Sequence, residues 1–125
     1  MSNIVIIDYD CGNILSLKRA LNKINLNCKL SREINEISNA THLILPGVGA
    51  FGSAMTLLKK YRLIEPIKNH VKQNKPLLGI CLGMQLLLTK SFEFGEFFGL
   101  DLIEGTVEKI TNQTTEKIKT PHIGW

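Results

Sequence analysis

Pro76-Leu77-Leu78-Gly79-Ile80-Cys81-Leu82-Gly83-Met84-Gln85-Leu86-Leu87-Leu88 is the stretch whose reading decides the fold. Pro76 to Cys81 is an apolar run of strand length. Leu82 to Leu88 is a mostly apolar stretch that predicts a buried helix. At the junction stands Gly79-Ile80-Cys81-Leu82-Gly83, a glycine-x-nucleophile-x-glycine pattern. Such an elbow holds a nucleophile in a strained turn, and the flanking glycines leave room for crowded backbone. The amides and positive dipole end of the following helix would face the thiol and favour thiolate. That matters because a free cysteine of pKa near 8.5 is only about 3% thiolate at pH 7. The competing reading is a buried structural cysteine between two packing glycines.

Working outward, strands are predicted at Asn3–Tyr9, Asn27–Ser31 and His42–Leu45, where apolar residues run with few polar breaks. Gly12-Asn13 opens a helix whose Ile14, Leu17, Leu21 and Ile24 fall on one stripe. Ser53 is placed to cap a helix running to about Tyr61, and another helix starts near Pro66, with Ile67 and Val71 inward. After Ser91 the pattern weakens. Leu102–Ile110 reads as one or two strands, and Pro121–Trp125 begins a further element. Strands alternating with helices predict an α/β fold: an open, mostly parallel sheet with helices on both faces. Asp8–Asn13, the glycine loop after the third strand, and Cys81 then all fall at the carboxyl ends of strands. In open α/β sheets, ligands bind at that edge.

The glycine loop is Pro46-Gly47-Val48-Gly49. A tetrahedral intermediate needs donors aimed at its oxyanion, and glycine-rich backbone can present bare N–H groups. The Leu82 amide would supply one donor and the Val48 or Gly49 amide another. Two other readings stand beside this one. A phosphate-binding loop lacks its Gly-Lys-Ser/Thr continuation here. A plain turn would suffice if the motif stood alone.

Four segments in order carry a family resemblance: Asp8-Tyr9-Asp10-Cys11-Gly12-Asn13, Pro46-Gly47-Val48-Gly49-Ala50-Phe51-Gly52, Gly79 to Leu87, and Pro121-His122-Ile123-Gly124-Trp125. Together they resemble the class I (triad) glutamine amidotransferases, and within them the glutaminase subunits of imidazole glycerol phosphate synthase. The resemblance implies that Cys81 attacks the glutamine side-chain amide to give a glutamyl thioester and ammonia. It implies oxyanion donors at Val48, Gly49 and Leu82, and substrate contacts at Gln85 and Gly47. It implies a heterodimer with a (β/α)8-barrel cyclase that uses the ammonia in histidine synthesis, with Asn13, His122 and Trp125 near the docking face. Gln85 has a second reading as a polar residue satisfied inside an apolar helix. Cys11 and Cys28 read as small packing residues.

The sequence departs from the family in two ways. A triad needs a His base and a Glu to orient it. The family carries these in a His-Pro-Glu segment well past the elbow, and this sequence has none. Of its three histidines, His42 begins a strand on the side opposite the active edge. His70 sits among lysines and is expected to be solvated, and His122 belongs to the docking motif. The expectation is therefore a chain truncated after Trp125, with residues 1–125 the N-terminal portion of one glutamine amidotransferase domain and little activity alone. The second departure is Asp10, where the family usually has Gly, which puts the shape of the docking loop in question. Two alternatives keep a place: a paralogue feeding ammonia to surface-sugar amidation, and a non-catalytic docking module. A third, a cysteine hydrolase with another substrate, is disfavoured by Gln85 and the Pro-His-x-Gly-Trp segment.

Composition bounds the rest. The chain has 125 residues, 44% of them hydrophobic, which suits one globular domain. Its net charge of +4 comes from scattered Lys and Arg, which reads as a solvated surface rather than a nucleic-acid site, though an acidic protein partner is compatible. No apolar run approaches the ~20 residues of a membrane span, and no secretory signal is visible. Three cysteines without metal-like spacing suggest free thiols, a reducing cytoplasm and no metal or cofactor.

Overall fold

The computed structural model describes residues 1–110, so the expected element at Pro121–Trp125, with His122 and Trp125, lies outside the described residues. Strands β1 (Ile4–Ile7), β2 (Cys28–Ser31), β3 (His42–Leu45) and β4 (Leu77–Gly79) pair in parallel in the order β2-β1-β3-β4. All four residues of β1 are buried, so both of its faces are covered. Successive side chains point to opposite faces of a strand. Val5 and Ile7 accordingly join Leu43 and Leu45 in a core with Ile37, Phe51, Leu58 and Ile67. Those last four come from α2 (Ile34–Asn39), α3 (Phe51–Lys60) and α4 (Ile64–Lys72). Ile4, Ile6 and Ile44 point the other way, against Ile14, Leu17 and Leu21 of α1 (Ile14–Lys23). The predicted α/β architecture with helices on both faces is what forms.

Helix α1 starts where the sequence says, with the Asn13 side chain accepting the Ser16 N–H at 3.3 Å. Ile24, expected on its inner stripe, is its exposed C-cap instead. Helix α3 begins at Phe51 rather than after Ser53. Its first turn is served from far along the chain, because the Glu93 carboxylate accepts the Phe51 N–H at 3.2 Å. A carboxylate is favoured there by the unpaired amides of a helix start. Helix α4 begins two residues before Pro66, which its first turn tolerates because no N–H is needed at that point. The short α2 has no counterpart in the sequence pattern. It carries only one buried residue, Ile37, too little for a periodic signal.

The stretch after the elbow also differs from expectation. The helix predicted to reach Leu88 is a single turn, α5 (Leu82–Gln85). The carbonyls that would continue it are taken by another segment: Leu86 accepts from the Leu100 N–H and Leu87 from the Leu102 N–H, both at 2.8 Å. The chain then enters a second sheet, β6-β5-β7, built from β5 (Leu88–Ser91), β6 (Phe97–Phe98) and β7 (Ile103–Val107). The β5–β6 pair is antiparallel and the β5–β7 pair parallel. Leu86 and Leu87 remain buried, so the apolar run marks burial correctly and helix length wrongly.

His70 corrects another expectation. It is buried, not solvated, and its Nε2 lies 2.9 Å from the Pro76 carbonyl. In the neutral ring Nε2 carries the proton and donates, leaving Nδ1 bare and without a partner among the described residues. Burial holds the His70 pKa below its usual value, with Lys75 and His42 adding to the shift and the Pro76 bond opposing it. The unfolded chain then takes up a proton first as pH falls. Stability should be independent of His70 above about pH 6.5 and decline below it, by at most about 1.4 kcal/mol per pH unit. Urea unfolding between pH 7.5 and 5 checks this: His70→Gln should flatten the slope in that window, and an unchanged slope would contradict it.

Candidate active site

Cys81 follows β4 and precedes α5, with φ 56° and ψ −120°. That conformation is essentially glycine's, and a non-glycine residue there costs about 1–3 kcal/mol. The surroundings enforce it. The Ile80 N–H donates to Leu45 O at 3.0 Å, and the Gly83 N–H to Ile80 O at 2.9 Å. A Cβ on Gly83 would lie 1.8 Å from Leu45 O, and one on Gly79 would lie 2.7 Å from the Met84 Cα. The two glycines thus let α5 close directly onto β3 and β4, and Cys81 is left at the exposed apex. Because α5 has only four residues, the helix-dipole contribution expected from a long helix is small.

Cys81, Gly47, Val48 and Asn13 line one cavity of about 320 Å³, closed by Leu17 and Ile80. Leu82 is buried, packed against the Gly47 segment. Gln85 ends α5 half-buried, and its side-chain amide has no protein partner among the described residues. Asn13 is exposed and engaged as the α1 cap. His122 and Trp125 lie outside the described residues.

The expected oxyanion donors are near Cys81 but not free. The Leu82 N–H donates to Gly47 O at 3.3 Å. The Val48 N–H points at Cys11 Sγ, 3.4 Å away, and the Cys11 thiol donates to Val48 O at 3.0 Å. Gly47 O and the Val48 N–H belong to one peptide, which in its trans form presents them on opposite sides. Its carbonyl, not its amide, therefore faces the Leu82 N–H. Gly49, at φ 99°, gives the next peptide its turn.

Tyr9, together with Cys11, whose sequence context reads as packing, is the other half of this arrangement. The buried Tyr9 hydroxyl donates to the Pro46 carbonyl. Burial first, and the Cys11 thiol second, push the Tyr9 pKa above its ordinary range. Asp10 adopts φ 61° and is tied down: Arg32 reaches it at 2.8 Å and Asp8 at 3.1 Å, and the Tyr61 hydroxyl donates to it. The Arg32 guanidinium also stacks over the Tyr61 ring at 4.0 Å. The Tyr61 and Arg32 contacts hold the Asp10 pKa below the usual carboxylate value. The loop that Asp10 put in question is therefore a pinned one.

No described histidine sits on the Cys81 edge. His42 opens β3 and pairs in register with Ile4, and His70 bonds to Pro76 just before β4, so both lie at the amino ends of strands. Among the described residues no cluster of His, Cys, Asp or Glu could hold a metal ion, and no helix is long and apolar enough to cross a membrane.

The chain is similar to several known proteins. The chain is 46% identical over 127 residues to "Imidazole glycerol phosphate synthase subunit HisH 1" of Legionella pneumophila (strain Paris), covering 100% of this chain and 60% of that protein. It is 50% identical over 122 residues to the HisH subunit of Lacticaseibacillus casei (strain BL23), covering 98% and 58%. It is 49% identical over 125 residues to that of Lactococcus lactis subsp. lactis (strain IL1403), covering 100% and 60%. The chain thus spans at most 60% of the length of these relatives. A solved structure described as "Crystal structure of glutamine amidotransferase" matches the fold with a TM-score of 0.70 at 24% identity, over 83% of this chain and 55% of that one. Residues 5–125 match the family "Glutamine amidotransferase class-I". With its elbow, its glycine strand and this match over nearly all its length, the chain belongs to the class-I glutamine amidotransferases.

Proposed function

We propose that this chain is the nucleophile-bearing part, residues 1–125, of a glutaminase that supplies ammonia to a cyclase of (β/α)8-barrel type in histidine biosynthesis. It would act as one half of a heterodimer in the reducing cytoplasm. The observation that carries the reading is the strained, exposed Cys81 next to the Leu82 N–H and the Gly47–Val48 peptide that accepts from it.

In this reading Cys81 Sγ attacks the side-chain amide carbon of glutamine. The carbonyl oxygen gains charge and is met by the Leu82 N–H together with that of Val48 or Gly49. The C–N bond breaks, and the nitrogen leaves as ammonia once protonated. Water then cleaves the thioester to glutamate and frees the thiol. Gln85, with its unpartnered amide, and Gly47 hold the substrate. The cyclase takes up the ammonia to form imidazole glycerol phosphate and an aminoimidazole carboxamide ribotide. In this reading Asn13, His122 and Trp125 would contact that partner.

The resting geometry supports a further statement. As the Gly47–Val48 peptide stands, its carbonyl occupies the side from which an oxyanion would be stabilised, so the site is closed. Turning that one peptide changes ψ of Gly47 and φ of Val48, and Gly47 lacks the side chain that would resist it. With no described histidine beside Cys81, the described residues offer proton transfer no partner either. The 125-residue chain alone should release little ammonia from glutamine, with or without cyclase. Coupled ammonia assays on the purified chain decide this, and robust turnover would contradict it. Tight association with a cyclase barrel and no covalent chemistry at Cys81 would instead favour a docking module, a reading that the closed site also supports.

A further inference from the structure

A groove of about 630 Å³ is lined by α3, the start of α4 and β6, and it shares no lining residue with the Cys81 cavity. Its size falls within the range of small-molecule sites, roughly 300–1,000 Å³. Met55 and Ile64 give it an apolar side, and Phe97 and Phe98 of β6 an aromatic one. Phe97 is seated tightly against α3, because a Cβ on Gly52 would lie 2.8 Å from its ring. Phe98 is 68% exposed, so the fold itself leaves most of that ring unused. Two cations, Lys59 and Arg62, also line the groove, and neither has an ion-pair partner among the described residues. The carbonyl end of α3 accounts for Lys59, which stands in its last turn. It does not account for Arg62, which follows the C-cap Tyr61 at φ 57°, where glycine is at ease and arginine is not. The exposed Glu65 adds one acceptor.

We propose that this groove binds a nucleoside monophosphate, with the base against Phe98 and the phosphate between Lys59 and Arg62. Each part of that ligand answers a feature of the lining. An exposed aromatic ring offers a stacking surface to a flat base. Two unpaired cations match the charge of nearly −2 on a phosphate monoester at pH 7 better than the single charge of a carboxylate. The fork of Arg62 suits two phosphate oxygens at once, and Lys59 adds a point charge. Glu65, an acceptor only when ionised, suits a sugar hydroxyl or a base amino group. The apolar contacts from Met55 and Ile64 are indifferent to which base is present. The proposal does not depend on the chemistry at Cys81, because it rests on a separate set of residues.

The test is titration calorimetry of the full 125-residue chain with AMP, adenosine and inorganic phosphate as probes. AMP should bind with a Kd below about 1 mM, and at least roughly tenfold more tightly than adenosine or phosphate. Phe98→Ala should weaken AMP about tenfold by removing the stacking surface. Arg62→Gly should weaken it by a similar factor, and because glycine suits φ 57° the fold should lose nothing. Urea unfolding confirms that each variant is folded. AMP binding no tighter than adenosine would overturn the proposal, since the groove would then be only an apolar patch. Binding no tighter than phosphate would overturn it too, as would an AMP affinity unchanged in both folded variants. A concentration-dependent dimer that Phe98→Ala abolishes and AMP does not dissociate would also overturn it, because the groove would then hold a second copy of the chain.

Discussion

Replacing Cys81 by Ser is expected to slow covalent capture of a glutamine-shaped chloroketone by about 10³-fold or more, and Cys81→Ala to abolish it. The size follows from the roles involved. A hydroxyl at the same apex would keep the geometry, but at neutral pH it has almost no anionic form without a base. No other thiol substitutes for it, since Cys11 is bonded to Val48 and Cys28 lies in β2 against the α1 face. The same position makes a second, opposite prediction for stability. Cys81 holds φ 56° in a region where only glycine is at ease. Cys81→Gly should therefore unfold at higher urea, by about 1 kcal/mol, while losing all capture. A variant that is more stable and chemically dead would mark the strain as belonging to the chemistry. A less stable Cys81→Gly would mean that the elbow is not strained.

Gly83→Ala should be the most damaging single-methyl change among the described glycines. The added Cβ would meet Leu45 O at 1.8 Å and the Leu45 carbonyl carbon at 2.7 Å, both backbone atoms of a central strand. Neither can rotate away as a side chain could. Relief requires moving β3 or lifting α5 off the sheet, and α5 carries the buried Leu82 and leads to the buried Leu86 and Leu87. The expected loss exceeds about 3 kcal/mol, a large share of the stability of a small domain. The variant should be largely unfolded by circular dichroism at 25 °C, with the parent chain, measured alongside, giving the folded signal. A cooperative transition within 1 kcal/mol of the parent, an order-of-magnitude threshold, would show that the close approach of α5 to β3 is not what holds the elbow.

The parallel sheet was legible because its signals are local. Ile4 to Ile7 runs without a polar residue, and the elbow glycines flank a candidate nucleophile, so order and placement could be read residue by residue. What escaped reading depends on partners far away in sequence. Leu82 to Leu88 looks helical until Leu100 and Leu102 take its carbonyls. The start of α3 depends on Glu93, more than forty residues on. His70 among lysines looks solvated because the face it turns inward is set by packing, not by its neighbours in sequence. For the candidate site, the carboxyl-end placement of Cys81 and the glycine loop was legible, and the state of the site was not. The orientation of the Gly47–Val48 peptide follows from Tyr9, Cys11 and Leu82 meeting in space, and nothing in the spacing of those residues encodes it.

The central claim is that Cys81 is a glutamine-directed nucleophile. Peptide mapping after limited treatment of the intact chain with the chloroketone analogue, with and without excess glutamine, tests it most directly. The account predicts modification at Cys81 ahead of Cys11 and Cys28, and protection of Cys81 by glutamine. Modification spread evenly over the three thiols, or at Cys81 but indifferent to glutamine, would contradict it.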